Sequence, residues 1–380
     1  MATEELRRTY KYRLYHTGRR NRRLHEEINI AGSIWNHCVA LQRRYYRLTG
    51  KYIPAAALKR HIAKLRQERP AYAHWRRLNS QTAQDIIERL DRAYRRFFAG
   101  QGGVPRFKKV KHYRSITFKQ AGWKLLGGNK IRIGNYTCKF VKHRELRGII
   151  KTVTIKRDAL GRLWVCCSVV ETVASPLEAS TGQIGGFDFG LKTFLTDDAG
   201  NSHHAPQFFA RNRRGIAQGN RVLSRKQKGS RNRERARRSL SRVQTHVADQ
   251  RRDDHFKLAH TLCDQYDVMI FEDLNLEGMK RLWGRKVSDL GFEQFTRILE
   301  HVARKRGKLV HSIDRFTPTS STCSRCGHQQ VMPLRERVFH CEGCGLVINR
   351  DHNAARNIVR AGASALDLEV VRPSLEGCLA

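Results

Sequence analysis

Between Leu24 and Leu48, apolar residues recur at Ile28, Ala31, Ile34, Trp35, Cys38, Leu41, Tyr45 and Leu48, the spacing of a helix with one buried stripe and an arginine-rich opposite face. A shorter helix is predicted over Ala55–Leu65, ahead of Pro70. A third, capped by Asn79 or Ser80, should bury Ala83, Ile86, Ile87, Leu90, Ala93, Tyr94 and Phe97 and turn Gln84, Arg89, Arg92, Arg95 and Arg96 outward. Around the helices the pattern changes to short β-rich runs. Thr9–Leu14 precedes them, and Ser115–Phe118, Lys130–Ile133, Tyr136–Val141, Ile149–Lys156 and Leu163–Val170 follow, separated by turns such as Gly127-Gly128-Asn129. Strands on both sides of a helical insertion predict a small β-barrel.

Beyond Pro176 a polar linker leads to Ile184–Thr196, where apolar and small residues surround a single carboxylate, Asp188. It reads as one buried strand, with Gly190 placed where a side chain would crowd a metal or a phosphate. Alone, such an acid is more often a turn or capping residue. The apolar run Val268–Phe271 predicts a second buried strand with Glu272 at its C-terminal end, where open α/β sheets place their chemistry. A structural ion pair is an equal reading of Glu272 alone. Asp273 should face the other way and serve a cap or loop. Between these strands, residues 211–242 include Arg225, Lys226, Lys228, Arg231, Arg233, Arg235, Arg237, Arg238 and Arg242 against one acid, Glu234. The stretch Ser224–Arg233 is too charged to be expected to fold on itself, and helical periodicity resumes over Ser239–Leu262.

Charge narrows the partners. Lys and Arg number 74 against 34 acids, a net +40, which favours a polyanion such as nucleic acid. Arg106, Lys108 and Lys109 flank Phe107 and precede Tyr113, a mixture suited to phosphates and bases, although Phe107 reads equally as core. No run approaches the roughly 20 apolar residues of a membrane span, and the N-terminal segment has no apolar signal core. A cytoplasmic or nucleoid location without membrane partners is therefore expected. Of ten cysteines, Cys38, Cys138, Cys166, Cys167, Cys263 and Cys378 read as packing or incidental thiols. The other four form two knuckles, Cys323-x-x-Cys326 and, after fourteen residues, Cys341-x-x-Cys344. That spacing predicts a zinc ribbon with four thiolates, a closed structural site; a redox dithiol would need only one knuckle. Asp351 then opens a helix with Ala354, Ala355 and Ile358 inward, where the helix N-terminus favours an ionised acid.

The order Gly186-Phe-Asp-Phe-Gly-Leu, Phe271-Glu-Asp-Leu, Thr319-Ser-x-x-Cys-x-x-Cys-Gly, Cys341-x-x-Cys-Gly and Arg350-Asp-x-Asn-Ala-Ala-Arg-Asn-Ile resembles the transposon-encoded TnpB (OrfB) family, to which type V CRISPR effectors are similar. The resemblance implies a multidomain α/β protein: a RuvC-like nuclease of RNase H fold with an inserted zinc ribbon, preceded by a β-barrel wedge domain carrying a helical recognition insertion. The implied boundaries are wedge 1–20 and 103–180, recognition 21–102, nuclease 181–319 and 347–362, ribbon 320–346 and tail 363–380. The resemblance further implies two Mg²⁺ ions on Asp188, Glu272 and Asp351, one structural Zn²⁺ on the four cysteines, and cleavage of double-stranded DNA beside a short transposon-adjacent motif, directed by a guide RNA. Gln84 is a candidate reader of that motif, and Arg325 or Arg350 a candidate stabiliser of the transition-state phosphate. A strand-transferring transposase and a nuclease-inactive RNA-guided regulator are the alternatives; oligomeric state carries no expectation.

Overall fold

The computed structural model describes residues 3–174, 181–333 and 335–368. The linker expected after Pro176, Cys378 and the tail beyond residue 368 lie outside them. The chain divides after Ala174 into two compact units. Among the described residues no helix is long and apolar enough to cross a membrane.

The first unit runs β1 (Thr3–Arg13), α1 (Gly18–Thr49), α2 (Ala55–Glu68), α3 (Ser80–Phe98), β2 (Ser115–Phe118), β3 (Trp123–Leu125), β4 (Lys130–Ile133), β5 (Tyr136–Lys139), β6 (Ile149–Arg157) and β7 (Leu163–Ala174), with a 3-10 turn at Pro70–Arg77 between α2 and α3. Asn79 caps α3 by accepting from the Gln81 N–H. One core joins helices and sheet, with Ile28, Ile34, Ile86 and Leu90 packed with Ile116, Phe118, Val153 and Val165.

The strands depart from the expected barrel. They form a four-stranded antiparallel sheet, β1-β7-β6-β2, and a separate three-stranded sheet, β3-β4-β5, with one bridge from Leu14 to Phe140. No closed barrel forms among the described residues. Strands β3 to β5 span only three or four residues between tight turns and pair with one another. Two positions on α3 also differ. Phe97 is exposed, whereas Arg89 is half-buried, ion-paired to Asp85 at 2.6 Å and bonded to the Ser115 carbonyl and Thr117 hydroxyl. The arginine face there meets β2 rather than solvent.

The second unit comprises β8 (Ile184–Asp188), β9 (Leu195–Asp197), β10 (Ser202–His203), α4 (Phe208–Ser224), α5 (Arg231–Gln265), β11 (Val268–Glu272), α6 (Leu276–Leu290), α7 (Phe292–Lys305), β12 (Leu309–Ile313), β13 (Val338–His340), β14 (Val347–Asn349) and α8 (Arg350–Ala365). Its five-stranded sheet has the order β10-β9-β8-β11-β12, with β8, β11 and β12 mutually parallel and β9 and β10 antiparallel. Successive strands therefore leave β8 in one direction and β11 in the other, a topological switch point between the two. Alternation along the strands sorts the faces. Phe187, Met269 and Phe271 pack with α5 and α7, while Ile270 packs with Ile358 and Val359 of α8.

The stretch expected as one strand is a hairpin: β8 ends at Asp188, the chain turns, and β9 starts at Leu195. A Cβ on Gly190 would lie 2.6 Å from the Thr193 carbonyl oxygen, so the turn itself demands glycine. The basic stretch also folds, contrary to expectation. Only Arg225–Ser230 separates α4 from α5, whose seam of Ile216, Leu240 and Val247 is buried. Charge is accommodated because the apolar seam is narrow and most of the cations face outward. Ser230 caps α5, and Glu234 neutralises Arg237 and Arg238. Helices α6 and α7 and strand β12 carry no expectation from sequence.

Helix α8 approaches the sheet through missing side chains. A Cβ on Gly186 would lie 2.4 Å from the Ala355 carbonyl oxygen and 2.6 Å from the Val359 nitrogen. Gly186→Ala should cost about 1–3 kcal/mol, read as a lowered unfolding midpoint, whereas Gly215→Ala, with nothing within 4 Å, should not. On the other face, His255 is buried against Phe194 and Phe295, pairs with the Leu290 carbonyl at 3.1 Å and lies near Arg251. Burial, then Arg251, lowers its pKa from 6.5 to about 4. Below pH 6.5 the unfolded chain takes up the proton first, so this contribution is full above pH 6.5 and falls by up to about 3 kcal/mol as pH drops toward 4. Thermal unfolding against pH should show that slope, and His255→Gln should flatten it.

Candidate active site and metal centre

Asp188 is the last residue of β8 and Glu272 the last of β11. These are adjacent parallel strands in which Phe187 pairs with Phe271, so both acids lie at one C-terminal edge, at the switch point. Each stands two positions beyond a residue that packs against α8, Gly186 and Ile270 respectively, so alternation turns both toward the α8 face. Helix α8 runs antiparallel to β8. Ala355 and Val359 lie over Gly186, and the Asp351 carboxylate lies 3.8 Å from where a Gly190 Cβ would be. The first turn of α8 thus carries Asp351 to the same edge. Asn349 caps the helix by accepting from the Asp351 and His352 N–H groups.

All three acids are half-buried and electrostatically coupled. Burial, then Asp351 and Glu272, drives the Asp188 pKa well above the ordinary carboxylate value, opposed by Arg350 and Arg337. Glu272 is also raised, chiefly by burial, while the Thr319 hydroxyl, 3.4 Å away, favours its ionised form. A cluster of half-buried acids that includes Asp188 and Glu272, both with raised pKa values, suits divalent cations, whose charge would favour ionisation and whose preference is for oxygen ligands. The acids are spread more widely than the cysteines. Among the described residues, only the four cysteines bring three or more candidate ligand atoms within 4.8 Å of one another.

The arginines near this edge are not quite those expected. Arg350 donates to the Pro333 carbonyl and the Ser320 hydroxyl, and Arg337, which carried no expectation, lies 3.7 Å from Asp351. Arg325 is exposed on the first knuckle. Asp273 fits its expected loop role: its N–H donates to the Ile313 carbonyl and its carboxylate pairs with Arg315.

Cys323, Cys326, Cys341 and Cys344 converge, with Sγ separations of 3.7 Å for Cys323–Cys344 and 3.5 Å for Cys326–Cys341. Tetrahedral zinc–thiolate bonds would set sulfurs about 3.8 Å apart. The fit is close. Strands β13 and β14 form the hairpin around the second knuckle. The first knuckle is clamped to α8: Asn353 accepts from the Ser324 N–H and donates to the Thr322 carbonyl, Asn357 donates to the Thr319 and Thr322 carbonyls, and Arg360 reaches the Ser324 carbonyl. The remaining described cysteines are in no disulfide. Burial raises the Cys38 and Cys167 thiols to about 12, which fits packing roles.

The expected nucleic-acid contacts are dispersed. Gln84, Arg106, Lys109, Arg225, Lys226, Lys228 and Arg231 are exposed, as is Phe107, which carries Arg43 over its ring at 4.9 Å. Lys108 is exposed as well and lies over the Trp35 ring at 3.6 Å, where desolvation lowers its pKa. Arg233 turns inward to donate to the Leu223 and Lys226 carbonyls, fastening the turn between α4 and α5.

Two family models match, one described as "Probable transposase" (OrfB) over residues 165–282 and one as "Cas12f1-like, TNB domain" over residues 292–358. The first spans β8 and β11; the second spans the ribbon and the start of α8. A Streptomyces pristinaespiralis protein named "Putative RNA-guided DNA endonuclease" is 29% identical over 95% of this chain and 91% of its own length. Escherichia coli InsQ, which bears the same description, is 26% identical over 94% and 92%. Over both matched segments the chain is similar to the TnpB (OrfB) family. Among solved structures, one described as the Cas12f1-sgRNA-target DNA complex superposes on this chain with a TM-score of 0.59 at 14% identity, covering 93% of this chain and 99% of the other, a likeness of fold. The matched segments contain all three carboxylates and all four cysteines.

Proposed function

We propose that the protein is an RNA-guided DNA endonuclease of a transposable element, which cleaves double-stranded DNA beside a short adjacent motif and uses Asp188, Glu272 and Asp351 as its catalytic acids. The observation that carries this reading is the meeting of the three acids at the C-terminal edge of β8 and β11, under the first turn of α8. The mixed sheet supports an RNase H-type nuclease, and the names of the two full-length relatives support guide RNA and DNA as partners.

Two Mg²⁺ ions held by these carboxylates would supply an ionised water and neutralise charge at the phosphate. Asp188, which is coupled electrostatically to both other acids, would contact both ions, and Glu272 and Asp351 would complete the ligand set. Thr319 orients the Glu272 carboxylate, and the first turn of α8, capped by Asn349, carries Asp351 to the same edge. Arg350 and Arg337 place positive charge next to the acids, where an incoming phosphodiester would otherwise meet only carboxylates. One Zn²⁺ on the four cysteines would be closed to substrate. Its role is to hold the knuckle against which Asn353 and Asn357 seat α8.

The description of the OrfB family as a probable transposase favours a second reading, a transposase that joins DNA ends. The two separate on one preparation. The protein purified with its RNA should cut matching duplex DNA in Mg²⁺, and Asp188→Ala should lower cutting at least about 10³-fold while leaving DNA binding intact; unchanged cutting would sink the assignment. Strand-transfer products made without RNA would support the transposase. Elemental analysis should find one zinc per chain, and Cys341→Ser should lose it and lower the unfolding midpoint.

A further inference from the structure

Immediately after β12 the chain passes Asp314-Arg315-Phe316-Thr317-Pro318-Thr319 beside the acid edge. Phe316 is 85% exposed, although the loop that carries it is held on both sides. Arg315 pairs with Asp273, the neighbour of Glu272, and the Asp273 N–H donates to the Ile313 carbonyl at 3.1 Å. Thr319 donates to Glu272 itself and is fixed in turn by Asn357, which donates to its carbonyl at 2.7 Å. Within the loop, Asp314 accepts from the Phe316 N–H at 2.8 Å, and the Thr317 N–H donates to the Asp314 carbonyl at 3.1 Å. A fastened backbone therefore presents a bare phenyl ring to solvent, at a hydration cost that a pliable loop would relieve by folding the ring inward.

Only Thr317 and Pro318 separate Phe316 from Thr319, at most about 10 Å of backbone, so the phenyl lies within roughly a nucleotide or two of anything bound at Glu272. We propose that Phe316 is a stacking platform for the base next to the phosphodiester that the carboxylates act on. The inference rests on the nuclease reading and adds to it a residue that positions the substrate strand. Inside an intact duplex both faces of a base are covered by its stacked neighbours, so the ring serves a strand whose base is unpaired or unstacked. Such stacking is indifferent to sequence because every base has a π-face, which suits an enzyme whose sequence choice lies with RNA. Arg315 cannot replace the ring in this role, since its guanidinium is committed to Asp273.

The test uses full-length Asp188→Ala protein purified with its RNA, titrated with single-stranded DNA oligonucleotides carrying 2-aminopurine at successive positions. Quenching is expected at one position when the strand binds. Phe316→Ala and Phe316→Leu should abolish that quenching and weaken binding by about ten-fold, and Phe316→Trp should restore both. Equal quenching in every variant, or none in the parent, overturns the proposal. The two readings are scored separately. If the Asp188-intact parent shows no Mg²⁺-dependent cutting while quenching still depends on Phe316, the nuclease reading fails and stacking stands. If cutting is normal but quenching ignores Phe316, only the stacking inference is lost.

Discussion

The acid edge depends on how closely α8 lies to the sheet. Gly186 on β8 lets the helix backbone settle where a methyl group would collide with it, and Gly362 does the same for the Ile270 side chain from the helix side. With contact that tight, the helix has little freedom to slide or rotate, and its first turn falls over the ends of β8 and β11. The position of Asp351 is therefore set by packing several turns away. The raised pKa of Asp188 reflects the same constraint, since it comes first from burial and then from the nearness of Asp351 and Glu272.

Much of the site was legible because its residues sit on elements with strong local signals. An unbroken apolar run before Glu272 marks a buried strand end, and paired Cys-x-x-Cys knuckles mark a sulfur site from spacing alone. The hairpin at Asp188 was harder to read: apolar and small residues run through the turn, and only the Thr193 carbonyl explains Gly190. Arg337 was illegible, because its nearness to Asp351 comes from the path of the β13–β14 hairpin and not from any pattern around it. The stripe of α7 is as regular as that of α3, whereas α6 bends at Trp283 and its periodicity is interrupted. The barrel expectation failed at β3 to β5, where β3 (Trp123–Leu125) had no counterpart in the pattern and the partnership of β4 and β5 was not readable.

Charge was the least informative signal at residue level. The surplus of cations points to a polyanion, yet Arg89, Lys108 and Arg233 serve the protein itself, through an ion pair, a ring contact and a pair of carbonyl bonds. Sequence cannot separate such arginines from those left for phosphate, because the distinction depends on which carbonyls and rings the fold brings near. The asparagines of α8 show the converse. Asn353 and Asn357 look like unremarkable helix residues, but both are buried and both fasten the knuckle.

The antiparallel seating of α8 on β8 also has a meaning in time. Asp188 and Glu272 emerge from the ribosome well before Asp351, and the helix that carries the third acid can dock only after the intervening ribbon has been made. On the proposed mechanism, a nascent chain, or one cut short before that helix, holds two acids without the third. Unfinished copies would then be inert toward the genome that encodes them, and the hazard of a DNA-cutting protein would begin only once the ribbon and α8 have been made and docked.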